Sequence, residues 1–279
     1  MPRHLALAAT VATIVAILGA PVAAAEPTAI ANDWNCRPSE AHPNPVVLVH
    51  GTNNTAKEWN ALTPKLVAAG YCAFAVDYGY LARPILQSGG LGPLLESVDQ
   101  VAAFIDRVLV STGAEQVDIV AQSQGGAIAE YYAKFRNNAD RIGAEVLLAP
   151  PTHGTTLSGV VSVIPPGSPL RDPANAAMAE LACPACADME TDSDFVRALN
   201  DGPITQPGIR YSVIATRYDT TVTPLGDASF IAEPGVTNVF VQDLCPGART
   251  GHDGLPADPV VEQWILDQLD PSAARAVTC

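Results

Sequence analysis

The sequence predicts an α/β fold, a mostly parallel sheet with helices on both faces. Three observations carry this. Short apolar or β-branched runs recur at Val46–Val49, Cys72–Val76, Val117–Val120, Val146–Leu148, Ile209–Ala215 and Val239–Val241. Several are apolar at every position rather than at every second one, as strands covered on both faces are. Segments with helical spacing separate them, the order that builds parallel strands joined by crossovers. The 279 residues suit one large domain, residues 26–279, better than two small ones.

In chain order, Arg3 precedes an apolar stretch from Leu5 to Leu18 and the small residues Ala23, Ala24 and Ala25. Residues 1–25 read as a signal peptide for a secreted protein. The apolar stretch is short of the roughly 20 residues of a membrane-spanning helix. Residues 26–45, polar and Pro-rich, form an extended leading segment. After the first strand, Gly51-Thr52-Asn53-Asn54 makes a turn. Thr55 then caps a helix with Trp59, Leu62, Leu66 and Val67 on one face and Gly70 at its end. An apolar and aromatic loop, 77–93, follows the second strand. Leu94, Val98, Val101, Ile105 and Val108 mark a helix over Leu94–Val110, which Gly113 stops. The third strand runs directly into Ser123 and a helix to about Asn137. Residues 150–190, rich in Pro, Gly and Thr, read as an irregular cap-like insertion. Phe195–Leu199 reads as a short helix. Pro259–Leu269 reads as the closing helix, with Val260, Val261, Trp264, Ile265 and Leu269 toward the core.

The net charge is −14 with no cluster of Lys and Arg, which argues against a nucleic-acid partner. The acidity serves solubility. No later stretch is long and apolar enough for a permanent membrane anchor. All six cysteines lie beyond the leader, and an even number in an exported chain points to disulfides whose pairing sequence alone leaves open. Cys183-Pro-Ala-Cys186 lacks the preceding strand of a thioredoxin-like redox motif. It also lacks a second CxxC or His pair for zinc, and reads as a small structural loop. Asp188, Glu190, Asp192 and Asp194 alternate, but without EF-hand spacing. They read as a solvated loop rather than a calcium site, and no metal is expected.

Ala121-Gln122-Ser123-Gln124-Gly125-Gly126 lies between a strand and a helix. This is the context of the nucleophile elbow of α/β-hydrolases, where the Ser side chain stands clear of a sharp turn. Small residues two before and two after the Ser let strand and helix approach. Ala121 replaces the usual first Gly, a modest change of one methyl. A serine needs a base, and the base an orienting acid. In this fold the order is Ser, then Asp or Glu, then His. His4 lies in the leader, His42 in the leading segment, and His50 and His153 follow early strands. Only His252 lies late, in Gly251-His252-Asp253-Gly254, and it is the expected base, with His153 as rival. Asp219, just past a strand end where active-site groups collect, is the expected acid. Asp243 is the runner-up, and Asp253 is poorly placed beside His252. The oxyanion donors expected are the backbone N–H of Gln124 and that of Thr52, whose hydroxyl is a third donor.

Several segments together resemble the class 2 family of secreted actinobacterial lipases. They are Val47-Leu-Val-His50-Gly-Thr52, the Ser123 hexapeptide, Leu148-Ala-Pro-Pro-Thr-His153-Gly-Thr155, Ala182-Cys-Pro-Ala-Cys186, Ile214-Ala-Thr-Arg-Tyr-Asp219-Thr-Thr-Val-Thr-Pro224 and Gln242-Asp-Leu-Cys245-Pro246. The resemblance covers nearly the whole mature chain. It implies an α/β-hydrolase fold, a Ser123–Asp219–His252 triad and no organic cofactor. A more distant likeness to yeast lipase B supports Thr52 and Gln124 as oxyanion donors. It also suggests that Cys36 pairs with Cys72, and the closeness of Cys183 to Cys186 in sequence then adds Cys183–Cys186 and, from what remains, Cys245–Cys279. Ala121 departs from family habit. The expected activity is that of a triacylglycerol lipase on acyl ester or lipid substrates, working as a monomer with transient lipid-interface contact. The alternatives are a short-chain carboxylesterase or polyester hydrolase, and an acyltransferase of the cell envelope. The apolar residues of two loops, Tyr78, Tyr80, Leu81, Ile85, Leu86 and Leu91 in one and Leu157, Val160, Val161, Val163 and Ile164 in the other, are candidates for an acyl groove or lid.

Overall fold

The computed structural model describes residues 31–81, 88–156, 168–170, 173 and 183–279. The predicted signal peptide, Ile85, Leu86, the five loop residues from Leu157 to Ile164 and most of the predicted cap-like insertion lie outside them. Six strands form one sheet: β1 (Val46–Val49), β2 (Ala73–Val76), β3 (Val117–Gln122), β4 (Ile142–Leu148), β5 (Arg210–Ala215) and β6 (Thr237–Phe240). Their order is β2-β1-β3-β4-β5-β6, and every neighbouring pair is parallel. Side chains alternate between two cores, as the pleat requires. Val47, Val49, Ile119, Ala121, Leu147 and Val213 join one core with α2 (Leu94–Thr112) and α3 (Gln124–Phe135). Val46, Leu48, Val120, Val146, Leu148 and Ile214 join the other with α1 (Thr63–Ala68) and the closing helix. Burial on both faces is why these strands read as solid apolar runs.

The helix read from Thr55 is two pieces. Thr55 caps a 3-10 turn over Ala56–Asn60, accepting from Lys57 N, and α1 starts afresh with Pro64 in its first turn. Proline suits a helix start and interrupts an interior. Val67, assigned to the inner face, is exposed. β4 begins four residues before the predicted Val146, because Gly143 and Glu145 interrupt the apolar run. The Cys183–Cys186 segment is a short helix, α4 (Pro184–Asp188), rather than a loop. α5 (Asp194–Leu199) is capped by the Ser193 hydroxyl. Val241, read as strand, starts α6 (Val241–Leu244). α7 (Pro259–Leu269) has the predicted bounds. The predicted cysteine pairs lie at disulfide distance, with Cα–Cα separations of 5.8 Å for Cys36–Cys72, 5.3 Å for Cys183–Cys186 and 5.5 Å for Cys245–Cys279.

Two carboxyls sit inside the core, Glu130 on α3 and Glu145 on β4. Glu130 accepts from the Thr152 hydroxyl at 2.7 Å. Neither oxygen of Glu145 has a partner among the described residues. Burial pushes Glu130 up to about 8 from an ordinary 4.5. Burial, then the neighbouring Glu130, pushes Glu145 well above its usual range. Both ionise near the ordinary value once unfolded but resist ionisation in the fold, so the contribution of Glu130 is full below about pH 4.5 and is lost as the pH rises toward about 8, and that of Glu145 is lost in the same direction. Glu130→Gln keeps an acceptor for Thr152 and cannot ionise. Its melting temperature is expected to fall several degrees less than the parent's between those limits. Equal slopes in thermal melts across that range would contradict this.

Candidate active site

Loops that follow β1, β3, β4, β5 and α6 meet at the carboxyl ends of the strands, where open α/β sheets gather their ligands. Ser123 sits between β3 and α3 with φ 54 and ψ −129, a left-handed conformation that a non-glycine residue holds only under constraint. The constraint is visible: Ser123 N donates to Leu148 O at 2.8 Å, and its carbonyl accepts from Gly126 N at 2.8 Å. Ala121 is fully buried in the α2–α3 core, so its extra methyl packs in the interior.

Asp219 and His252 lie 33 residues apart and meet at 2.7 Å, Oδ2 to Nδ1. Both are buried. The other Asp219 oxygen accepts from Thr221 N at 2.7 Å and Val222 N at 2.8 Å, which fixes the carboxyl. A carboxylate facing Nδ1 accepts only, so the ring proton sits there and Nε2 keeps its lone pair. Thr216 Oγ1 donates to Thr250 O at 2.6 Å and ties the His252 loop to the end of β5. His252 and Ser123 line one small cleft with Thr52, Glu58, Gln122, Pro151, Met189 and Val222 among its walls. Larger hollows of about 520 and 310 Å³ open near the amino ends of the strands, and neither is lined by a serine, a histidine and a carboxylate together.

The backbone N–H groups of Thr52 and Gln124 have no protein partner among the described residues. The Thr52 hydroxyl does: it donates to Gln124 Oε1 at 2.7 Å. That bond extends through Gln124 Nε2 to Tyr78 Oη at 3.4 Å, and from the Tyr78 hydroxyl to His50 O at 2.6 Å. Tyr78, read as an acyl-groove candidate, is buried beneath the site, and Leu91 is core; Tyr80 is exposed. Tyr78→Phe leaves two buried polar groups unpaired, and is expected to cost about 1–3 kcal/mol of stability and roughly 10-fold in kcat with little change in KM. Steady-state kinetics and a thermal melt check this, and an unchanged kcat would contradict it.

The remaining candidates are placed elsewhere. His153 bonds to Asn200 through Nδ1 and to Phe230 O at 3.0 Å through Nε2, which occupies both ring nitrogens. Asp243 pairs with Arg217 at 2.7 Å on the surface, and Asp253 is exposed at the cleft rim. Asp188 accepts from Leu94 N at the start of α2, and Asp194 pairs with Arg197. Among the described residues no three His, Cys, Asp or Glu side chains gather as a metal would require. Sequence reasoning gave Tyr78 a different role, in an acyl groove, and missed Glu58. Glu58 accepts from Gly51 N at 3.0 Å and Asn54 Nδ2 at 2.6 Å, contacts across a loop that no periodicity announces.

A family model described as Lipase (class 2) matches residues 43–264. A triacylglycerol lipase of Burkholderia plantarii is 31% identical over 123 residues, which are 39% of this chain and 29% of that protein. A triacylglycerol lipase of Pseudarthrobacter phenanthrenivorans is 30% identical over 102 residues, 32% of this chain and 28% of that protein. The matched part thus spans less than a third of either relative. Among solved structures, Aspergillus fumigatus lipase B superposes with a TM-score of 0.61 at 20% identity, over 87% of this chain and 57% of that one. A mature Bacillus licheniformis lipase superposes with a TM-score of 0.56 at 17% identity, over 84% and 94%. At such identities the superpositions speak for the α/β-hydrolase fold alone. The family model spans most of the chain and includes every residue of the cleft, and the chain belongs to the class 2 lipase family.

Proposed function

We propose that this protein is a secreted serine ester hydrolase, a triacylglycerol lipase working through an acyl-enzyme on Ser123. The observation that carries the reading is the buried 2.7 Å Asp219–His252 pair opening onto the same cleft as the strained Ser123. His252 Nε2 takes the proton of the Ser123 hydroxyl as its oxygen attacks the ester carbonyl. Asp219 holds the imidazole and stabilises its cationic form. The Thr52 and Gln124 N–H groups receive the negative charge that develops on the carbonyl oxygen. The alcohol leaves with the proton from His252. Water then attacks the acyl-enzyme by the same route, and the acid is released with Ser123 restored. No organic cofactor enters this sequence. The three cysteine pairs support export to an oxidising compartment. No described helix is long and apolar enough to cross a membrane, and contact with a lipid surface is transient.

The test is hydrolysis of acyl esters from acetate to oleate, and of emulsified triolein, by the mature protein beside Ser123→Ala. Triolein cleavage that the substitution abolishes is the expected result. Cleavage of short soluble esters alone would make the protein a carboxylesterase. Acyl transfer to an added alcohol or sugar in preference to water would make it an acyltransferase.

A further inference from the structure

The loop that follows β1 must present the Thr52 N–H to the cleft, and its two peptide groups are held differently. In the Gly51–Thr52 peptide, the carbonyl accepts from His50 Nδ1 at 2.8 Å. A trans peptide points its N–H the opposite way, which turns the Thr52 N–H away from the imidazole. In the preceding His50–Gly51 peptide both groups are gripped. The carbonyl accepts from the Tyr78 hydroxyl at 2.6 Å, and the N–H donates to Glu58 Oε2 at 3.0 Å. Tyr78 and Glu58 therefore clamp one peptide from its two sides.

The second Glu58 oxygen accepts from Asn54 Nδ2 at 2.6 Å. The Asn54 amide cannot turn over without loss, because its Oδ1 accepts from Thr55 N at 2.9 Å. Two fixed donors thus converge on one side chain that must accept at both ends, and a carboxylate is the side chain that does so. Glu58 is set by the 3-10 turn it belongs to, whose next residue, Trp59, is fully buried. Glu58 also lines the cleft that His252 lines.

We propose that Glu58 is the positioning residue of the oxyanion loop, its carboxylate fixing the peptide from which the Thr52 N–H is aimed at the reacting carbonyl. This rests on the serine hydrolase reading above. Burial raises Glu58 to about 7, against the pull of the Gly51 N–H, the Asn54 amide and His252. The titratable groups facing it are His252 and Asp253 of the turn over His252–Ala257, and Tyr78 behind the loop. Protonation of Glu58 places a hydrogen where a donor already points, so the loop loosens as the pH falls through neutrality.

The experiment compares the parent with Glu58→Gln, whose amide turns a donor toward either Gly51 or Asn54. Expected are a kcat lower by roughly 10- to 100-fold with KM little changed, and an acid limb of kcat/KM that steepens to two ionisations in the parent but one in the variant. An alkylboronic acid adds to the Ser123 hydroxyl as a tetrahedral anion, the proton passing to His252. Its affinity should weaken by the same factor as kcat/KM, which a purely structural defect would not reproduce. Asn54→Ala removes one of the two donors from a partly exposed position, should show the same parallel loss at a smaller scale, and decides the matter if Glu58→Gln does not fold. Unchanged kcat, or a loss of kcat without loss of boronate affinity, would overturn the proposal. A parent that cleaves esters beside variants that match it defeats this inference alone. A parent that neither cleaves esters nor binds the boronate defeats the hydrolase reading as well.

Discussion

Asp219→Asn is expected to lower kcat by about four orders of magnitude while the protein remains folded. One Asp219 oxygen accepts from two backbone N–H groups, Thr221 and Val222, and the other faces His252 Nδ1. An asparagine keeps its single oxygen on the two backbone donors. Its amide N–H then points at Nδ1, which must turn acceptor, and the ring proton moves to Nε2. The nitrogen that should receive the Ser123 proton no longer has a lone pair. Substrate binding does not use this bond, so KM changes little. Asp243→Asn breaks only an exposed pair with Arg217, worth at most about 1 kcal/mol, and its kcat should stay within a few-fold of the parent. Steady-state kinetics of the two variants side by side check this. Near-normal turnover in Asp219→Asn with loss in Asp243→Asn would contradict the assignment.

Gly125→Ala is expected to damage both stability and activity, though it adds one methyl. A Cβ there would lie 2.5 Å from Val49 O and 2.7 Å from His50 O. Both are backbone atoms at the end of β1, so relief requires β1 and α3 to separate. Overpacking of this kind costs about 1–3 kcal/mol, which is roughly 2–10 °C in a domain of this size. The movement also shifts the loop that starts at His50 relative to Ser123, and displacements near 1 Å cost roughly 100-fold in rate. The control is Gly247→Ala, where an added Cβ meets nothing within 4 Å and neither property should change. A melting curve and kcat for each protein suffice. A Gly125→Ala enzyme with parental kcat would show that strand and helix are not held at contact by this residue.

These two residues show what the sequence made readable. The Ser123 elbow is local, so its strand, turn and small residues are consecutive, and Gly125 carries its steric reason in its position. Asp219 and His252 became candidates through chain order, because a parallel sheet delivers successive strand ends to one edge. Strands buried on both faces announced themselves as solid apolar runs. Where a polar residue enters such a run, as Glu145 does in β4, the strand was read too short. The segment from Thr55 to Ala68 kept a helical pattern across a break at Ala61 and Leu62, because the pattern records which side is buried and not whether the backbone is continuous. Tyr78 lay in a loop whose apolar composition suggested a groove, yet its hydroxyl bonds beneath the loop that follows β1. Glu58 gave no signal at all, since its partners Gly51 and Asn54 are defined by a turn geometry that spacing does not encode.

The central claim is that Ser123 is a nucleophile activated by His252. The most direct measurement is labelling of the protein with a fluorophosphonate, followed by mass mapping of the modified peptide and assay of the labelled protein on a soluble ester. One label per chain on Ser123, with ester turnover lost in proportion, and no labelling of Ser123→Ala or His252→Ala, is the predicted result. Ester turnover that persists after Ser123 is fully labelled, or a Ser123 that stays unmodified while the protein turns over esters, would contradict it.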